Sequence, residues 1–235
     1  MGFTIVRLVP RHGDMTMLEH AHLNPIPPKR VVVLGGSGFI GTHLVKEFKR
    51  SGIEACGISS SNIDLVASGA IQALAKTVRP DDTLVFAACL TPDKGKDLST
   101  LMKNLTMAEN VGLFLENHGC AHLICISSDA VYKDEVSLVR EDSPCDPGTL
   151  YAVSQMTREK MMSYSAGKVS IPLAVVRPCG VYGLGDTHDG YGPNRFLRKA
   201  VARETISLFG QGEETRDHIF IGDVCKLIRL CAEHG

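Results

Sequence analysis

Four glycines fall within the seven residues Gly35-Gly36-Ser37-Gly38-Phe39-Ile40-Gly41, directly after the apolar run Val31-Val32-Val33-Leu34. The run is short and β-branched, as suits a fully buried strand, and the apolar positions that follow, Phe39, Ile40, Leu44, Val45 and Phe48, keep helical spacing. A strand that turns through glycines straight into an amphipathic helix is the opening half of a βαβ unit, which narrows the available folds sharply. Two spacings overlap here, Gly36/Gly38/Gly41 as GxGxxG and Gly35/Gly38/Gly41 as GxxGxxG. Both fit a turn whose backbone N–H groups approach a pyrophosphate at a helix N-terminus. The same glycines suit a tight turn without a ligand, so the pattern takes its meaning from the strand and helix around it.

The alternation continues along the chain. Gly52 closes the first helix and 53–58 reads as a second strand. Helices are expected around 67–78, 98–117, 150–166 and 224–233, with strands at 84–88, 122–127 and 171–177. Repeated βα units imply an α/β fold: a Rossmann-like, doubly wound parallel sheet with helices on both faces. Residues 1–28 stand apart, with Met15 and Met17 in a polar stretch that ends in Asn24-Pro25-Ile26-Pro27-Pro28. They are expected to form a leader or a poorly ordered arm.

At 235 residues, 44% hydrophobic and 22% charged, the chain supports one sizeable core. Lys and Arg number 25 against 26 Asp and Glu, a net charge of −1. That balance supplies no global field for nucleic acid or an anionic membrane surface. The eight cysteines are scattered with no CxxC pair, as in a reducing compartment. His118, Cys120 and His122 alternate closely, but they open a strand, and no metal site is expected. No apolar run approaches the ~18 residues of a membrane span, so a cytoplasmic protein is expected.

A dinucleotide fingerprint also calls for an acid at the end of the second strand, where it binds the adenosine ribose. Here Ile58 is followed by Ser59, Ser60 and Ser61, and the first carboxylate is Asp64, in what reads as a short third strand. Hydroxyls without a repulsive carboxylate favour NADP(H) over NAD(H), although no Arg or Lys stands beside them.

Further motifs lie at Ile126-Ser127-Ser128-Asp129-Ala130-Val131-Tyr132, at Glu141, Pro144 and Pro147, and at Tyr151-Ala152-Val153-Ser154-Gln155. Together with the glycine loop, Phe86-Ala87-Ala88 and Val176-Arg177-Pro178-Cys179-Gly180-Val181-Tyr182-Gly183, they resemble the extended short-chain dehydrogenase/reductase superfamily, in its NAD-dependent epimerase/dehydratase branch acting on nucleotide sugars. The resemblance covers about residues 30–234. It implies an NAD(P)(H)-binding domain over 29–183 and a partial, truncated C-terminal substrate lobe over 184–235 that returns to the sheet. It also implies cofactor contacts at Gly35, Gly36, Ser37, Gly38, Phe39, Ile40, Gly41, Ser59, Ser60, Asp64, Leu65, Ala87, Ala88, Asn104, Pro178 and Val181. Ser128 and Tyr151 correspond to the hydroxyl and the acid/base tyrosine that flank the reacting sugar carbon. Arg216 corresponds to an arginine on the nucleotide diphosphate, a role that suits a planar guanidinium.

The chain departs from the pattern at Gln155, where the family places a lysine that holds the nicotinamide ribose and stabilises the tyrosine's phenolate. A glutamine amide still hydrogen-bonds ribose hydroxyls but carries no charge. Arg158, on roughly the same helix face, is a source of positive potential two turns from Tyr151. Gly180 replaces an asparagine that contacts substrate in many relatives. Two functions follow. One is an NAD(P)-dependent epimerase, dehydratase or 4-keto-sugar reductase on a nucleotide-sugar substrate, with hydride exchange at C4. The other is a dinucleotide-binding sensor or assembly subunit with weakened catalysis. A short substrate lobe leaves surface exposed, and self-association into a homo-oligomer is expected.

Overall fold

The computed structural model describes residues 20, 22–133, 138–186, 192–208, 210–211 and 215–235, together with the backbone of Phe3–Arg7. A six-stranded sheet is built from β1 (Phe3–Arg7), β2 (Arg30–Leu34), β3 (Glu54–Ile58), β4 (Thr83–Phe86), β5 (His122–Ile126) and β6 (Leu173–Pro178), in the order β1-β6-β5-β4-β2-β3. Strands β2 to β6 pair in parallel, and β1 joins β6 antiparallel.

Helices α1 (Phe39–Arg50) and α6 (Ile221–His234) cover one face. Helices α2 (Ala70–Thr77), α3 (Leu98–His118) and α4 (Leu150–Lys168) cover the other. Alternation along β2 explains both layers. Val32 and Leu34 face Leu74, Phe114 and Met162, whereas Val31 and Val33 face Leu44, Phe48, Val224 and Ile228. A strand buried on both faces has no polar side, which is why its sequence is a continuous apolar run. A second, two-stranded parallel sheet joins β7 (Gly180–Tyr182) to β8 (His218–Phe220), and α5 (Gly192–Val201) packs beside β7.

From β2 the chain moves outward to β3 and then crosses back to β4 on the opposite side. The strand order therefore reverses at β2, and a crevice opens at the carboxyl ends of β2 and β4, where open α/β sheets bind ligands.

Three expectations are corrected. Asp64 lies in turns and not in a third strand: the amides of Asn62 and Ile63 return to the Ser59 carbonyl, and Val66 N–H donates to Asp64 Oδ1 at 3.0 Å. A local carboxylate acceptor offers the backbone an alternative to a ladder. β4 stops at Phe86, short of Ala88, because its neighbour β2 has ended in the glycine turn; Ala87 N–H still reaches the Leu34 carbonyl at 3.0 Å. Within the expected leader, Phe3–Arg7 forms β1, in register from Phe3↔Pro178 to Arg7↔Ala174, and supplies the backbone partners that β6 lacks on that side. Met15 and Met17 lie outside the described residues. The proline stretch runs along the end of α6, with Ile26 N–H donating to the Glu233 carbonyl at 2.7 Å.

Two buried ion pairs hold the layers. Arg30 on β2 pairs with Asp82 through Nε–Oδ1 at 2.8 Å and Nη2–Oδ2 at 2.5 Å. Arg177 on β6 grips Glu159 on α4 through Nε–Oε1 at 2.9 Å and Nη2–Oε2 at 2.6 Å. Ser127 donates its hydroxyl to the same carboxylate, and Arg177 Nη1 donates to Tyr132 Oη at 2.8 Å. His118 stacks on Phe114, while His122 is buried in β5, so the alternating trio is split between a helix end and the sheet. No helix among the described residues is long and apolar enough to cross a membrane.

Removing one member of a buried pair strands the other's charge. Glu159→Ala is expected to cost about 3–5 kcal/mol in denaturant unfolding, while replacing both Glu159 and Arg177 by apolar residues recovers most of that loss.

Candidate active site

The glycine loop is shaped by close backbone approaches. A Cβ on Gly36 would lie 2.3 Å from Gly57 Cα, and one on Gly41 would lie 2.1 Å from the Gly35 carbonyl oxygen. Gly35 has φ +88, and its Cβ would meet Ala88 N at 2.7 Å. These three glycines let the turn fold against β3, against β4 and back on itself. Gly38 differs: the nearest atom to its Cβ is the Gly35 oxygen at 3.3 Å, and with Ser37 it faces solvent.

α1 starts after Gly38 with no side-chain cap and no acid in its first turn. Its leading N–H groups therefore point outward uncapped, in the field of the helix dipole, as an anion requires. Phe39 and Ile40 turn inward and pack with Ala87 and Val181 on one core cluster.

Gly57 in β3 and Ser60 beyond it are exposed, while the Ser59 hydroxyl is engaged with Ser61 Oγ and Asn62 Oδ1, both at 2.7 Å. Asp64 is exposed but tied to Val66, and Leu65 is buried with its carbonyl held by Asn110 Nδ2 at 2.8 Å. Ala87 and Ala88 form a half-buried floor after β4. Asn104 is buried beneath the following loop. Its Oδ1 accepts from Leu90 N–H at 2.8 Å and its Nδ2 donates to Leu90 O at 3.0 Å, so it clamps that loop with both amide atoms.

Across the floor, the end of β5 and the start of α4 bring three expected residues together. Thr149 caps α4 by accepting from Ala152 N–H at 3.1 Å, which presents Tyr151 in the first turn. Gln155, one turn on, donates from Nε2 to Tyr151 Oη at 2.9 Å. Ser128, which caps the short helical turn 129–131 by accepting from Ala130 N–H at 3.2 Å, lies within hydrogen-bonding reach of the same phenol. Burial pushes Tyr151 up to about 12; the neighbouring Cys89 adds to the rise, and hydrogen bonds from Gln155 and Ser128 and the charge of Arg158 oppose it.

Two contacts escape sequence reasoning. Arg158 is fully buried and touches Gln155 directly, with Nη1–Oε1 at 2.5 Å. Cys89 accepts from Gln155 Nε2 at 3.5 Å. The i, i+3 spacing of Gln155 and Arg158 was a usable signal for the first; a half-buried cysteine at a strand end offers none for the second.

Pro178 is buried at the end of β6, and Val181 is half-buried on β7. A Cβ on Gly180 would lie 2.9 Å from His218 Nδ1, so the imidazole fills the space that a larger residue there would take. Arg216 is exposed, and its charge bears on Asp129, whose carboxyl is raised by the protein packed around it and lowered by Ser128, the Ala130 amide and Arg216. That places the Arg216 guanidinium toward the Ser128 end of the crevice.

A parallel sheet with a glycine turn at its switch point, facing a Ser–Tyr pair, defines a Rossmann-like protein of the α/β class. The NAD dependent epimerase/dehydratase family matches residues 31–235, and the chain belongs to that family.

Among curated relatives, GDP-6-deoxy-D-talose 4-dehydrogenase of Aggregatibacter actinomycetemcomitans is 26% identical over 85% of this chain and 68% of that protein. Methionine adenosyltransferase 2 subunit beta of Xenopus laevis is 29% identical over 57% of this chain and 43% of that protein. Among solved structures, a GDP-L-fucose synthetase from Naegleria fowleri bound to NADP superposes with TM-score 0.77 at 17% identity, over 92% of this chain and 72% of that one. The UDP-N-acetylglucosamine 4-epimerase from Bacillus cereus gives 0.75 at 22% identity, over 87% and 74%. At these identities the structures speak to the fold.

The glycines make separable predictions. Gly41→Ala is expected to lower both stability and dinucleotide affinity, because its Cβ meets backbone. Gly38→Ala is expected to leave unfolding within about 1 kcal/mol of wild type while weakening dinucleotide binding at least tenfold in fluorescence titration, a selective loss of about 1.4 kcal/mol.

Proposed function

We propose that this chain is an NAD(P)-dependent oxidoreductase, epimerase or dehydratase acting at C4 of a nucleotide-activated sugar, with Tyr151 as its acid/base. The observation that carries the reading is the cluster of Ser128, Tyr151 and Gln155 beside the glycine cradle.

The residues present fit the dinucleotide. The loop leaves backbone amides facing solvent for a pyrophosphate, and Ala87 and Ala88 leave a low floor under a flat ring. When bound, the nicotinamide supplies hydride exchange with the sugar carbon. In this scheme Ser128 orients and polarises the C4 oxygen, and Tyr151 passes a proton to it or takes one away. Gln155 holds the phenol oxygen, and by its correspondence to the family's lysine position its amide is the group offered to the ribose hydroxyls. Arg216 pairs with the diphosphate from the Ser128 side.

Burial keeps the Tyr151 phenol protonated through the neutral range, which suits donation to the alkoxide formed when a ketone is reduced. Reduction of a 4-keto sugar is therefore the favoured direction. No carboxylate occupies 59–63, where it would repel a 2′-phosphate, and exposed Ser60 is a hydroxyl donor there, so NADP(H) is the favoured cofactor.

The test is dinucleotide titration of the full chain, then turnover across a panel of nucleotide sugars and their 4-keto derivatives. NADPH is expected to bind more tightly than NADH; the opposite order reverses the cofactor choice. Tyr151→Phe is expected to lose about 10²–10⁴ in turnover with binding nearly unchanged. Tight binding with no turnover on any member of the panel would overturn the enzymatic reading in favour of a sensor or assembly subunit.

A further inference from the structure

Arg158 is the anomaly of this site. Its side chain is entirely buried, yet among the described residues no carboxylate pairs with it. The adjacent Glu159 is fully engaged by Arg177 and Ser127. Arg158 instead donates from Nη1 to Gln155 Oε1 at 2.5 Å and from Nη2 to the Ala88 carbonyl at 2.7 Å. Its guanidinium lies over the Phe86 ring, 4.4 Å from the centroid, and its Nε is buried without a hydrogen-bond partner among the described residues. A buried cation with only neutral partners is expensive, and such an arrangement persists where the charge has a use.

Its geometry shows the use. A glutamine amide in isolation can present either its oxygen or its nitrogen to a neighbour. Here Arg158, which has donors only, claims the Gln155 oxygen, so the amide must turn its NH2 group to Tyr151 Oη. The phenol oxygen thus always receives a hydrogen bond from a donor polarised by the guanidinium behind it.

We propose that Arg158 is the positioning residue of this site: it locks the Gln155 amide with its donor toward Tyr151 and supplies, through that amide, the positive charge that a phenolate there requires. The charge of the site resides at position 158, one helical turn below position 155. The proposal rests on Tyr151 being the acid/base group for its catalytic meaning, but the electrostatic coupling itself is independent of any reaction. The groups that face Tyr151 are Cys89 from the loop after β4, Ser128 from the end of β5, and Gln155 and Arg158 from α4.

The near-isosteric variant Gln155→Glu separates this role from a merely structural one. A carboxylate at 155 pairs with the uncompensated guanidinium, so the protein is expected to become more stable to denaturant. At the same time the new negative charge faces Tyr151 and opposes its ionisation. With a polyfluorinated tyrosine at position 151, whose much more acidic phenol brings the titration into the native pH range, fluorine NMR is expected to report a pKa higher by about one to two units than in the otherwise native chain. Turnover, where present, is expected to fall at least tenfold. Arg158→Met is expected to shift the same titration upward, and Arg158→Lys to restore part of the shift; should Arg158→Met fail to fold, Gln155→Met severs the link with the cation left in place and is expected to act alike.

A fluorotyrosine titration unmoved in Gln155→Glu and in a folded Arg158→Met or Gln155→Met overturns the proposal. So does a Gln155→Glu protein that is less stable than wild type. If the native chain turns over no nucleotide sugar while the titration moves as expected, the functional reading fails and the coupling stands.

Discussion

Two charge-assisted hydrogen bonds between Glu159 and Arg177 tie helix α4 to strand β6, and much of the site depends on them. A helix packed on a sheet by apolar side chains alone keeps some freedom to slide and rotate, since dispersion is non-directional. A planar guanidinium that meets a carboxylate with both ends removes that freedom. Ser127 adds a third bond to the same carboxylate and ties in the end of β5, one residue before Ser128. The Ser128 hydroxyl and the Tyr151–Gln155 stripe are thereby referenced to a single buried anchor. Desolvating both charges makes that anchor a poor source of net stability but an effective specifier of register.

The architecture was legible because its signals are local and strong. β2, β4, β5 and β6 are buried on nearly every residue, so their sequences stand out as apolar runs, and glycines mark the turn where a Cβ cannot fit. What escaped was set by tertiary context or by turn chemistry. Phe3–Arg7 is a strand because β6 offers an open edge, a fact absent from its own five residues. Asp64 carries its own turn in its side chain, which outweighs the apolar neighbours that suggested a strand.

Within the site, Ser128, Tyr151 and Gln155 were legible as positions on a helix and a strand end. Arg158 was legible as a source of positive potential on the same helix face, but its burial and direct contact with Gln155 were not. An arginine on an amphipathic helix normally extends its head to water, and no spacing rule announces that this one turns inward beneath Ala88. Read from sequence alone, Gln155 is the loss of a charge; with the packing in view, the nearest charge is in contact with it.

The two buried arginines of this region show how one fold uses the same residue for opposite ends. Arg177 is matched by a carboxylate and hydrogen-bonded at each of its three nitrogens, and it holds the scaffold. Arg158 is matched by none among the described residues, with an amide oxygen, a backbone carbonyl and an aromatic face as its neighbours. Dry surroundings strengthen an unmatched charge, since a fully buried side chain is not screened by bulk solvent. The same dryness is the main cause of the rise in the Tyr151 pKa, so the site opposes the cost of burying a phenol with a cation buried beside it. A lysine at 155 would stand against that guanidinium with like charge. The neutral amide accepts from the arginine without that repulsion and still offers a donor to Tyr151, and Gln155 and Arg158 are best understood as one unit.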